Sequence, residues 1–325
     1  MKRSQWSLNA LVRNSSFPSF VMLILLITVN ALLHPEFFTL QSLQMNFMTF
    51  TPLILVGLAQ ASVILVGAVD LSLGAAISLV SVVMASLMRD STLSVILVVL
   101  AGVGVAILLS SFNGFFIGYV GPPPLLMTFA TSTVWFGLAL LIMPTPGGHI
   151  PERYYTLYSS LIGGFLPVPV VVCLVAIGIC FFLGRTRALR HLYAVGGNER
   201  AARASGINIA RTKTFAYLIS GVFVAIAALC MVAQTATGDA RSGQGFTMNS
   251  VAAAVIGGIS FSGGKGNYAG AIMGGIMFGL LINIIYFANI TSFYQEFMKG
   301  IIIIIALLAG SAPRLRREMI LRSRG

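Results

Sequence analysis

Polar positions in this chain do not alternate with apolar ones at a short period; they gather in islands between long apolar runs. Runs near bilayer length fall at 17–33, 47–69, 73–88, 93–119, 125–143, 166–183, 214–236, 248–262, 269–288 and 294–310. A hydrocarbon core about 30 Å thick takes about 20 apolar residues as one helix. Lipid admits only helices or closed barrels, and a barrel strand would show about ten residues of alternating polarity. The unbroken Leu/Ile/Val-rich runs therefore predict an all-α polytopic membrane protein. It has about ten transmembrane helices in a single transmembrane domain over 1–325. The third and eighth runs are short and Gly-rich, which predicts broken or partly inserted helices there. The first run follows Lys2, Arg3 and Arg13, and "HPEFF" follows it where a signal peptide would carry small residues. It reads as a retained span.

Composition agrees. Of 325 residues, 57% are hydrophobic and 9% charged, against about 25% charged in soluble domains. A net charge of +12 invites a nucleic-acid reading, but in membrane proteins a basic excess marks the cytoplasmic loops. With the N-terminus inside, the cytoplasmic segments hold 16 of the 20 Lys and Arg residues. The opposite side holds Arg89, Arg153, Arg241 and Lys299. The bias predicts both termini and the segment 184–213 in the cytoplasm, and hence an even number of spans.

The most basic internal island is "RHLYAVGGNERAARASGINIARTK", residues 190–213. It has no obvious core of its own. Within it, "ERAARASG" predicts a short helix, with Glu199 at the positive N-terminal end, Arg203 further along and Gly206 as C-cap. Ala201, Ala202 and Ala204 leave part of that helix nearly bare, a surface suited to docking in another protein's groove. The other reading is a basic loop on anionic headgroups.

Two further stretches look alike: "ASVILVGAVDLSLGAA" (61–76) and "AAAVIGGISFSGGKGN" (252–267). The likeness hints at an internal repeat, a common way to build transporters. In the first, Asp70, Ser72 and Gly74 mark a candidate gating break. An acid at a helix centre costs about 2.5–3.5 kcal/mol on insertion scales and usually has a task. Asp70 or Ser72 also suits the N-cap of the span from Leu73.

Catalytic chemistry is scarce. "GGKG" at 263–266 lacks the earlier Gly and the following Ser/Thr of a phosphate loop. Cys173, Cys180 and Cys230 lie inside apolar runs as packing residues, and His34, His149 and His191 read as isolated surface histidines without metal-ligand spacing. No metal site and no enzyme acting alone is expected. Gln60, Asn113, Gln234, Asn249 and Asn283, with Trp135 as an aromatic wall, are candidates for a solute path. The same residues suit interhelical hydrogen bonds.

"GAVDLSLG", "YAVGGNERAARASGI", "DARSGQG" and "AAAVIGGISFSGGKG" occur here in an order that resembles the permease subunits of bacterial sugar-importing ABC transporters. Those include the ribose, xylose, galactose and autoinducer-2 systems, and the likeness covers nearly the whole chain. It implies an inner-membrane permease paired with a second copy or a paralogue. It also implies a cytoplasmic ATPase subunit that holds the ATP and Mg, a periplasmic solute-binding protein, and no cofactor in this chain. The segment matching 193–207 would dock on the ATPase through Gly197, Glu199, Ala201, Ala202 and Gly206. Three departures stand out: "FTMNS" after Gly245 where an acid and a Leu are usual, Ala68 in place of a second Gly, and the extra prolines of "GPPPLL". The rival reading is a self-sufficient ion-coupled transporter, which would need several titratable groups in mid-span. Asp70 and Glu296, both near span edges, are nearly all this chain offers. A membrane scaffold without transport would leave "GAVDLSLG" unexplained.

Overall fold

The computed structural model describes residues 17–288 and six positions between 294 and 304. Twelve α-helices lie in that stretch: α1 (Phe17–Leu33), α2 (Leu40–Leu65), α3 (Leu73–Leu87), α4 (Thr92–Phe115), α5 (Pro124–Ile142), α6 (Glu152–Tyr158), α7 (Val168–Arg185), α8 (Arg187–Gly197), α9 (Glu199–Ala204), α10 (Ile209–Thr235), α11 (Gln244–Ile256) and α12 (Tyr268–Phe287). α4 runs on into a single π turn, Phe116–Val120.

Local chemistry sets where these helices begin. Thr39, Ser91, Thr186, Asn198, Asn208 and Asn267 each stand just before a helix and accept a hydrogen bond from the amide three residues on. Such caps satisfy one of the amides that have no partner inside the helix. α5 and α7 start with proline in the first turn instead, where the missing N–H costs nothing. The extra prolines of "GPPPLL" thus act as a helix start.

Burial sorts the helices into two shells. α2 and α10 run through the middle, with 89% and 72% of their most apolar windows buried. α12 and α11 pack on α2, α4 packs on α10, and α1 covers α12. The corresponding share in α4, α5 and α7 is 17–22%. Those three turn Leu100, Leu126 and Phe182 outward. An apolar outer face of that extent belongs in lipid, not water.

Among the described residues six helices are long and apolar enough to cross a membrane: α2, α4 with its π turn, α5, α7, α10 and α12. α1 and α3 are shorter apolar helices. α3 has 15 residues and α11 has 13, lengths of about 20 Å at 1.5 Å per residue, short of the bilayer core. These are the two runs whose Gly content pointed to broken helices. The eighth run, drawn to residue 262, stops as helix at Ile256 and continues as a Gly-rich loop. The expected last span, 294–310, and the basic tail lie mostly or wholly outside the described residues.

Two features were absent from the sequence reading. Between α5 and α7, α6 and a small antiparallel hairpin (β1, Leu161–Ile162; β2, Leu166–Pro167) close one end of the bundle. Tyr158 Oη donates to the Met48 carbonyl at 3.2 Å and Tyr154 Oη to that of Leu229 at 3.1 Å, fastening α6 to α2 and α10. The basic island also does have a core. The amphipathic helix α8 begins just before the island, runs through its first part and buries Leu189, Leu192 and Val195.

Candidate coupling segment and transport path

α8 and α9 form one two-helix unit. Asn198 ends α8 and caps α9, its side-chain oxygen accepting from Ala201 N at 3.0 Å. α9 ends at Ser205, and Gly206 follows with φ +80°, the left-handed cap a glycine adopts without strain. Ala202 Cβ points inward with Val195 and Ile209 in a small apolar cluster. Gly197, Glu199, Ala201 and Gly206 are exposed. Ala202 therefore lies beneath the proposed docking face and supports it. Glu199 reaches Lys213 Nζ on α10 at 2.9 Å and Arg203 at 3.6 Å. Both pairs are partly exposed and add little stability on their own. Their effect is to tether α9 to α10. A cleft of about 550 Å³ opens between Glu199, Arg203 and Lys213 on one side and Ile117, Gly118, Tyr119 and Gly121, in and just after the π turn that follows α4, on the other.

The Asp70 break is a buried polar knot between α2 and α3. Asp70 Oδ1 accepts from Ser72 N at 2.8 Å and Ser72 Oγ at 2.6 Å. Asn113 Nδ2 of α4 donates to Ser72 Oγ at 2.8 Å. Leu71 N donates to Thr128 Oγ1 of α5 at 3.1 Å, and Tyr217 Oη of α10 donates to the Val69 carbonyl at 3.4 Å. Among the described residues no cation pairs with Asp70. The cap expectation holds in position but not in bonding. Ser72 holds the N-cap position, yet neither its side chain nor that of Asp70 bonds an amide of α3's first turn. Gly74 N donates instead to Thr247 Oγ1 of α11 at 3.2 Å. Gly74 is also a contact point, since a Cβ there would fall 2.3 Å from the Gly243 carbonyl oxygen. Thr128, Tyr217 and Thr247 escaped the sequence reading because their partners are far away along the chain.

The six path candidates do not form one lining. Asn113 belongs to the knot. Gln60 is fully buried on α2, with no partner for its amide among the described residues. Trp135 packs edge-on to Phe112, ring centroids 5.7 Å apart. Asn283 Nδ2 donates to Asn46 Oδ1 at 2.7 Å, and Gln234 Nε2 to Thr49 Oγ1 at 3.5 Å. These last two pairs sit along the first half of α2. Asn249 stands apart on α11, half-buried.

The remaining polar candidates have structural places. Cys173, Cys180 and Cys230 are buried free thiols. His149 Nε2 lies 2.9 Å from Asp90 Oδ1 on the surface. His34 is not an isolated surface residue, since it is half-buried and stacks on Phe287 at 4.7 Å. Among the described residues no cluster of His, Cys, Asp or Glu could hold a metal ion.

Residues 43–307 match the family described as the branched-chain amino acid transport system / permease component. The ribose import permease protein RbsC of Bacillus subtilis is 32% identical over 298 residues, covering 89% of this chain and 90% of the relative. The D-allose transport system permease protein AlsC of Escherichia coli is 30% identical, covering 90% of each. A probable ABC transporter permease protein of Sinorhizobium fredii is 34% identical, covering 84% of this chain and 83% of the relative. No solved structure matches the chain. With a bundle of long apolar helices, a match over most of its length and relatives of the same size, this chain belongs to that permease family of ABC importers, as a multi-pass protein of the bacterial inner membrane.

Proposed function

We propose that the chain is the translocating subunit of an ATP-driven importer for a sugar or sugar-like solute. The observation that carries the reading is the α8–α9 unit, a compact helix pair with an exposed small-residue face beside a charged cleft. A cytoplasmic ATPase subunit, which holds the ATP and Mg²⁺, docks there. A periplasmic binding protein delivers the solute to the opposite side. A second copy or a paralogue completes the pathway, and alternating access moves the solute. The sugar class rests on relatives named for ribose and D-allose import. In this reading ten spans cross the membrane and both termini are cytoplasmic. α1, α3 and α11 cross with the help of their flanking loops, and 294–310 supplies the tenth span.

The test is reconstitution in vesicles with a cognate ATPase subunit and solute-binding protein. Solute accumulation should require all three and stop when ATP is replaced by a non-hydrolysable analogue. Accumulation by this chain alone, driven by an ion gradient, would establish the ion-coupled alternative instead.

A further inference from the structure

The α8–α9 unit and the two look-alike stretches, 61–76 and 252–267, converge on one spot. The loop leaving α2 and the loop between α11 and α12 are bonded directly, Gly264 N donating to the Leu65 carbonyl at 3.1 Å. The C-terminal end of α8 is wedged against both. A Cβ on Gly196 would lie 1.9 Å from the Leu65 carbonyl oxygen and 2.7 Å from Gly264 N. A Cβ on Gly264 would lie 2.5 Å from Gly197 N, and one on Gly263 2.8 Å from Gly67 Cα. Three backbones therefore touch with no side chain between them. One turn earlier on α8, Tyr193 Oη donates to the Gly266 carbonyl at 2.9 Å.

Such a junction has a mechanical consequence. Side chains absorb small displacements by changing rotamer, whereas backbones in direct contact have no such freedom and pass strain on. The loop after Leu65 separates α2 from α3, and the loop that holds Gly263–Gly266 separates α11 from α12. These pairs hold the two short helices, and the first turn of α3 meets the start of α11 where Gly74 touches its N-cap, Gly243. We propose that Gly196 and Tyr193 are positioning residues that fasten α8 to both loops at once, so that one displacement of α8 reaches α2–α3 and α11–α12 together. The two similar stretches are then the two receiving ends of one lever. This rests on the reading of α8–α9 as the ATPase-docking unit.

The experiment uses the full importer in vesicles and reads three quantities: ATPase bound to the permease, ATP hydrolysed, and solute accumulated per ATP. The variants are Gly196→Ala and Tyr193→Phe. Gly184→Ala on α7, where nothing approaches a Cβ within 4 Å, is the control. Both variants should bind the ATPase as the wild type does, yet accumulate about fivefold less solute per ATP, the lower range of typical coupling between sites. The control should keep the wild-type ratio. Should Gly196→Ala fail to insert, Tyr193→Phe decides, because it removes only one hydrogen bond. A wild-type ratio in a folded variant, or loss of ATPase binding in either, overturns the lever. A wild-type permease that binds no ATPase overturns the docking reading beneath it instead.

Discussion

The first turn of α3 is capped from another helix. Thr247 Oγ1 accepts from Gly74 N at 3.2 Å and donates to the Leu71 carbonyl at 3.5 Å, joining α11 to the start of α3 across 173 residues of sequence. In a membrane interior a lost partner is not replaced by bulk water. Thr247→Val keeps the shape and removes both bonds, leaving the Gly74 amide without its acceptor. It should cost about 1–3 kcal/mol, read as a lower thermal midpoint of the purified permease in detergent, while Thr247→Ser stays near wild type. A Val variant as stable as wild type would show that the cap does not matter. The example also marks what one residue reveals in a sequence. Asp70 and Ser72 were legible as the chemistry of a helix start, since Asp and Ser favour that place. The residue that performs the capping was not, because a cap from a distant helix leaves no local spacing. Asp70 organises the turn before the helix instead.

At the scale of helices, hydropathy marks the long spans and amphipathicity marks the short basic helix. The long runs became helices because each needs only its own apolar side chains and internal hydrogen bonds to exist in lipid. α8 escaped notice although Leu189, Leu192 and Val195 recur at three-residue steps and fall on one face. The basic residues around them hid that stripe. Likewise, polar residues in spans were legible as a set, but their pairing was not. Asn283 bonds Asn46, so that pair ties α12 to α2. Bonds of this kind average about 0.6 kcal/mol in membrane proteins. Asn283→Leu should therefore lower the thermal midpoint slightly and leave the solute concentration for half-maximal uptake unchanged. A marked rise in that concentration, with stability intact, would place Asn283 in the solute path.

For the whole molecule, orientation decides which surfaces meet which partners. The charge asymmetry of 16 against 4 is the ground for the proposal that α8–α9 lies inside and the α6–hairpin cap outside. The fold offers a consistent geometry. α6 is bonded to α2 near its beginning and to α10 near its end, whereas the end of α8 packs on the end of α2 and bonds the loop before α12. The two units thus sit at opposite ends of the central helices, and reversing one requires reversing both. Single cysteines placed by Glu152→Cys on α6 and Arg200→Cys on α9 read this directly with a membrane-impermeant thiol reagent. Cys173, Cys180 and Cys230 are buried and are replaced by Ala or Ser to give a silent background. In right-side-out vesicles the position-152 cysteine should label and the position-200 cysteine should not; in inverted vesicles the pattern should exchange. The opposite pattern would place α8–α9 in the periplasm, out of reach of any cytoplasmic ATPase. Labelling of both positions from one side would instead mean an odd number of crossings between α6 and α9 is wrong, and with it the passage of α7 through the membrane.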